Sequence, residues 1–434
     1  MKKLLITAAA LGLTIGFVAT ASATNGYFSH GYSIKSKGMA GAGVAAPMDA
    51  MTSASNPAGL TEVGNRFDLG LTIFSPKREY NVSGEGTPQG DCEPPNCPFT
   101  LEEKTVESDK DYFFIPNMAY SSQINENSAW GIAVFGNGGM NTDYPVATFN
   151  YVIPAGVPKD STGVDLMQLF IAPTYAYKFA GKHSFGITPI IGVQFFEARG
   201  LQAFSGMSSA PTKLSNNGHD TAFGFGGRFG YLGQITDQFS IGLAYQTKVY
   251  MDEFDDYAGL FAEQGDMDIP SNWTIGLGWM PTPAVTLAFD VQQIYYSDIK
   301  SVNNSIYSPG QLGDDNGLGF GWEDMTIFKF GLQWERTEQW AYRFGYSYGE
   351  QPIPSSSLYG NENEMTFNII APGVIEQHAT FGLTYTFENQ SELDFSFMYA
   401  FENDVTGYQN FDPAQTVTLT MSQWEVGVGY SWVF

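Results

Sequence analysis

The stretch Trp424-Glu-Val-Gly-Val-Gly-Tyr-Ser-Trp-Val-Phe434, at the end of the chain, decides how the rest is read. Even positions (Trp424, Val426, Val428, Tyr430, Trp432, Phe434) are apolar. Odd positions carry Glu425, Gly427, Gly429 and Ser431, and only Val433 breaks the alternation. Side chains on a strand point to opposite faces in turn, so one face suits an apolar medium and the other a wet interior. A terminal aromatic on such a strand is what bacterial outer-membrane barrels carry.

Working back from the end, the same dyad recurs. The cleanest instance sets Phe239, Ile241, Leu243 and Tyr245 against Ser240, Gly242, Ala244 and Gln246. Others are Phe67, Leu69, Leu71, Ile73; Trp273, Ile275, Leu277, Trp279; and Phe328, Phe330, Leu332, Trp334. The tally is about fourteen segments, the even number that single-chain bacterial barrels use. Short polar turns such as Asn125-Glu126-Asn127 and Thr236-Asp237-Gln238 alternate with long linkers over 76–111, 136–164, 200–220, 251–271, 298–324, 350–377 and 402–423. Short periplasmic turns and long outer loops predict an all-β, transmembrane antiparallel β-barrel. A soluble β-sandwich gives no reason for that alternation.

Residues 1–23 read as an export signal: Lys2 and Lys3, an apolar run, then Ala21-Ser22-Ala23. The barrel is expected over 65–434, with an inserted segment over 24–64. Aromatic content of 15% with 49 glycines among 434 residues favours a barrel, whose girdles use Tyr, Phe and Trp. A formal charge of −25 excludes nucleic acid as a partner and suits outer loops set among divalent cations at lipopolysaccharide. A monomer is expected. Cys92 and Cys97 stand alone, so in an oxidising compartment a local disulfide is expected, with two free thiols as the alternative. Two isolated cysteines make no zinc site, and neither metal nor cofactor is expected.

Between the signal and the first strand lies a Gly/Ala/Ser-rich stretch without strand periodicity. A free tail would waste Tyr27, Phe28, Tyr32, Ile34 and Met39 in solvent, whereas small residues suit packing inside a cylinder. Gly26-Tyr27-Phe28 and Gly31-Tyr-Ser-Ile-Lys-Ser-Lys-Gly-Met-Ala-Gly-Ala-Gly43, then Asp49-Ala50 and Asn56-Pro57-Ala58-Gly59, resemble the N-terminal hatch of the FadL-type long-chain fatty acid and toluene transporters. The likeness spans hatch, strands and aromatic end, and the hatch motif is its specific part. It implies passive uptake of hydrophobic compounds: capture by outer loops, passage to a pocket near the hatch N-terminus, and lateral exit at a kink in the third strand. Long-chain fatty acids are the expected cargo, with monoaromatic hydrocarbons of the toluene type as the alternative and a general porin as the second.

Residues for each step can be placed. Leu201, Phe204 and Met207, and then Tyr257, Leu260 and Phe261, put large apolar groups in outer loops where a capture groove would form. Gly136-Asn137-Gly138-Gly139 weakens the third strand and marks a bulge, or simply its end. By parity Arg228, Lys248, Lys329 and Arg343 point into the lumen, where each would hold a fatty carboxylate or neutralise lumen acids such as Asp68, Asp290, Asp394 or hatch Asp49. No enzyme is expected. His219-Asp220 at the outer rim has no second acid or nucleophile placed beside it by spacing, and His30 has no serine that sequence positions.

Overall fold

The computed structural model describes residues 24–87, 100–149, 161–355 and 363–434. The expected export signal, residues 1–23, and both cysteines of the expected disulfide lie outside them. Fourteen long strands follow one another: β1 Arg66–Ser83, β2 Phe113–Asn125, β3 Ser128–Asn141, β4 Gly163–Phe179, β5 His183–Arg199, β6 Asp220–Gln234 and β7 Phe239–Gln246. They continue with β8 Asn272–Thr282, β9 Val285–Ile294, β10 Met325–Glu335, β11 Trp340–Gly349, β12 Gln377–Thr386, β13 Glu392–Tyr408 and β14 Thr416–Val433. Each pairs antiparallel with its sequence neighbour, and β14 returns to β1 with Arg66 opposite Val433 and Ser83 opposite Thr416. The sheet is therefore a closed barrel. No helix among the described residues is long and apolar enough to cross a membrane. The strands do the crossing.

The alternation has the anticipated sense. Leu71, Phe289, Val428 and Trp432 are exposed on the outer wall, while Glu425, Ser431, Asp290 and Lys329 are buried within. Three linkers are shorter than anticipated, the one after β3 because that strand runs to Asn141. Strand β1 continues past Pro76 to Ser83, and β13 and β14 run to Tyr408 and from Thr416 through the stretch expected to be loop. In these extensions the inward residues are apolar (Tyr80, Val82, Val405, Val417, Leu419, Met421) and the outward ones polar. A polar outward face suits water rather than lipid, which sets these extensions above the membrane with packed loops inside them. A search for apolar-outward dyads does not see them. Two short strands, Lys104–Glu107 and Tyr250–Met251, pair with the upper part of β1 and with β6.

Residues 24–65 lie inside the cylinder. They form a short helix, Ile34–Lys37, capped by Ser33, and two 3-10 turns, Ala50–Ala54 and Pro57–Thr61, capped by Asp49 and Asn56. The barrel wall makes room with glycine. A Cβ at Gly230 would stand 2.1 Å from the Asn56 side chain, and one at Gly242 would stand 2.2 Å from the Val44 carbonyl. Asn56 donates to the carbonyls of Val44 (2.7 Å) and Tyr231 (2.9 Å), and its Oδ1 accepts from Ala58 N–H, with Pro57 between at the first helical position. Charge fixes the other side. Lys37 meets Glu425 at 2.7 Å, and Glu392 receives both Lys35 (2.6 Å) and Arg66 (2.7 Å). Parity located Glu425 in the lumen; its partner, some 388 residues away in sequence, was beyond any local pattern.

Candidate functional site

Strand β3 carries the local irregularity that defines the site. It does not stop at the glycines: it runs to Asn141, with a bulge between Gly136 and Gly138 where it faces β4. On its other side the ladder to β2 ends at Asn117–Phe135. Above that point β2 pairs only with β1, from Phe113 to Pro116. The free edge of β3 is taken instead by the start of the hatch. Ser29 N–H donates to the Asn137 carbonyl (3.1 Å), Gly139 N–H donates to the Tyr27 carbonyl (2.9 Å), and Phe28 bridges to Gly138. Any side chain at Gly138 would collide with the Tyr27 carbonyl, 1.8 Å from where its Cβ would stand. Asn137 is fully buried, held by Gln168 at 2.9 Å and reached by the Tyr32 hydroxyl at 3.3 Å. The wall thus has a break between β2 and β3, occupied by the hatch end.

That end is also knotted to the outer loops. The Tyr27 ring stacks on Phe28 (5.6 Å) and Trp322 (5.9 Å) and meets Tyr296 edge-on (5.1 Å). Tyr296 donates its hydroxyl to the Asn25 carbonyl at 2.6 Å and accepts from Tyr27 N–H, while Trp322 Nε1 donates to Asn368 at 2.6 Å. Tyr296 and Trp322 belong to a loop whose relevance only the fold reveals.

Above, the expected capture groove is not open. Leu201, Phe204, Tyr257, Leu260 and Phe261 are buried and Met207 is half-buried. Phe204 packs against Phe149 (5.0 Å) and Phe367 (5.1 Å), and Phe196 against Tyr257 (4.8 Å) and Phe261 (4.7 Å). Aromatic side chains in water-facing loops gain most by covering one another. The helical spacing of Tyr257, Leu260 and Phe261 yields only the 3-10 turn Asp255–Tyr257.

The four basic candidates divide. Arg228 and Lys329 line one cavity of about 60 Å³ between hatch and wall, with Asp290 and Gln246. Arg228 donates to Gln246 and to the Ser53 carbonyl, and Lys329 donates to the His30 carbonyl at 3.2 Å. Asp290 gives one oxygen to hatch N–H groups of Gly43 (2.8 Å) and Val44 (3.0 Å) instead. Arg343 is tied to Gln333 and Thr384, both at 2.7 Å. Lys248 lies past the end of β7, where parity no longer applies, and Asp268 holds it at 2.8 Å. Of the histidines, His219 sits between Asp165 and Glu197, each at 3.4 Å, and His30 stacks on His378 at 5.8 Å. In the hatch, burial and the neighbouring Asp68 push the Asp49 carboxyl up to about 6.

A closed, lipid-facing barrel, filled by its own N-terminal segment and broken at one side of its wall, is the architecture of an outer-membrane transport protein. Residues 15–434 match the family described as outer membrane protein transport protein (OMPP1/FadL/TodX), and the chain belongs to it. It is an outer-membrane protein of a transport family, not of an enzyme family. Among curated proteins it is similar to the long-chain fatty acid transport proteins of Escherichia coli (20% identical) and Salmonella typhi (19%), each match covering 92% of both chains. Among solved structures it is similar to the Pseudomonas putida toluene transporter TodX: TM-score 0.68, 20% identity, 93% of this chain and 99% of that one. A FadL homologue of Pseudomonas aeruginosa superposes with TM-score 0.67 at 15% identity, covering 94% and 100%.

Proposed function

We propose that the protein imports long-chain fatty acids passively: captured under the outer loops, held against the hatch, and released sideways into the membrane between β2 and β3. It acts as a monomer with its acidic loops toward lipopolysaccharide. One observation carries the choice of an acid. Arg228 and Lys329 line the same buried cavity, and neither has a carboxylate within ion-pair distance among the described residues. An unpaired buried cation is costly, and a bound carboxylate would relieve it. The curated relatives are named for this cargo. The cavity itself has room for a few waters only, so a long chain enters as the hatch end withdraws.

A second reading, a monoaromatic cargo, is favoured by the ring cluster of Tyr27, Phe28, Tyr296 and Trp322 at the hatch end. Mass spectrometry of lipid co-purified from membranes separates the two: fatty acid is expected, and its absence from protein that retains aromatic hydrocarbon overturns the first reading. Single-channel recording tests the route. Near-silence is expected; a large steady conductance would make the protein a general porin.

A further inference from the structure

Above the membrane the inward face of β1 is apolar at Phe74, Pro76, Tyr80 and Val82, and it holds one charge, Arg78, only 3% exposed. Its guanidinium donates to the carbonyls of Asn141 and Lys110 and lies over the Phe113 ring at 5.6 Å. Its Nε has no partner. Asp111, Asp143 and Asp165 are near enough to act on it electrostatically, but each holds another base: Lys77, Arg199 (3.2 Å) and Lys110 (3.0 Å) respectively. No carboxylate lies within ion-pair distance of Arg78 among the described residues. Arg66, on the same strand, has two, Asp68 and Glu392. Phe113 and Asn141, which Arg78 touches, are the upper ends of β2 and β3, so the guanidinium sits at the top of the break in the wall.

Arg78 also lines a small pocket of about 10 Å³ with Phe74, Met140, Met421, Trp322 and Gly26. The pocket has room for about one water, is apolar apart from the guanidinium and the Asn141 amide, and is closed by the hatch end at Gly26. It is separate from the cavity of Arg228 and Lys329, with which it shares no lining residue.

We propose that Arg78 is a specificity-determining residue: as the hatch end withdraws, it receives the carboxylate of a hydrophobic acid at the side opening and favours that acid over its neutral analogue. The proposal rests on the hydrophobic-cargo reading above. A guanidinium with a free donor meets a carboxylate through charge-assisted hydrogen bonds, and an alcohol offers it no charge. Fatty acids satisfy it; toluene-type hydrocarbons do not.

The test uses the full protein in detergent micelles, titrated with dodecanoate and with dodecan-1-ol while tryptophan fluorescence is followed, since Trp322 lines the pocket. Wild type is expected to prefer the acid, and Arg78→Gln to weaken dodecanoate about tenfold while leaving dodecan-1-ol unchanged. Unchanged dodecanoate affinity in Arg78→Gln, or an equal loss for both probes, overturns the assignment. Wild type that takes neither probe overturns the cargo reading first. Should Arg78→Gln fail to fold, as judged by heat-modifiable migration on gels, wild type labelled with a dodecanoate bearing a diazirine beside its carboxylate decides. Adducts at Met140, Asn141 or Met421 support the site, and adducts confined to the Arg228 cavity refute it.

Discussion

The lower and upper halves of the barrel are built from the same strands with opposite chemistry. In β1, Leu69 and Leu71 face out and Asp68 and Thr72 face in; above Ile73 it is Lys77 and Asn81 that face out and Tyr80 and Val82 that face in. Strand β14 repeats this, with Val428 and Trp432 outward below and Val417, Leu419 and Met421 inward above. Parity is the same throughout, and the solvent is what changes. In lipid the wall is apolar outside and the lumen must accommodate polar groups; above the membrane a hydrated exterior encloses an apolar core made with the loops. The passage from one regime to the other occurs where the wall is broken and the hatch end sits.

Substitutions that ignore the boundary should separate the two halves. The largest effect is expected at the buried pair Lys37–Glu425 in the lower lumen. Glu425→Leu leaves an unpaired ammonium and should cost about 3–5 kcal/mol, while Lys37→Met with Glu425→Leu should recover most of it. Denaturant unfolding of the three proteins measures both. Next is Leu71→Arg on the lipid face, about 2–4 kcal/mol, against Thr420→Arg at an outward position above the membrane, within about 0.5 kcal/mol. Equal costs at the two positions would show that the boundary is misplaced.

At the junction itself, Gly138→Val forces the Tyr27–Ser29 segment off β3, with an overpacking cost of about 1–3 kcal/mol. The hatch end should then become accessible to protease, and channel recordings should turn from quiet to flickering. The smallest effect is that of pH on the hatch. Because Asp49 is pushed up to about 6, above its unfolded value, the folded form binds the proton first. Its contribution to stability is complete below about pH 4 and lost as pH rises through about 6. Asp49→Asn keeps the cap to Met51 and should flatten that dependence in unfolding experiments run from pH 4 to 8.

Most of the outward face of the lower barrel was legible, because a lipid-facing strand writes its dyad plainly and β7 is the clear example; in β2 the run Phe113-Phe114-Ile115 puts apolar residues on both faces, Phe114 outward and its neighbours buried, and hides the sense of the alternation. The upper extensions were not, since they bury their apolar side as any soluble sheet does, and Arg78 was lost with them. Hatch side chains were recognisable by motif, but Lys35 and Lys37 find their acids 357 and 388 residues away, a distance no pattern spans. Loop aromatics were visible as apolar, while whether they face a groove or one another depends on contacts between loops. Lys248 shows where parity expires: two residues past the last residue of its strand.

Those long-range ion pairs bear on how the protein is made. The hatch is synthesised ahead of the barrel, yet the acids that hold its lysines stand on the last two strands, and β14 closes the seam against β1. Its seat is therefore incomplete until the C-terminal strand has been delivered. Biogenesis of this barrel ends by fastening the piece that arrived first.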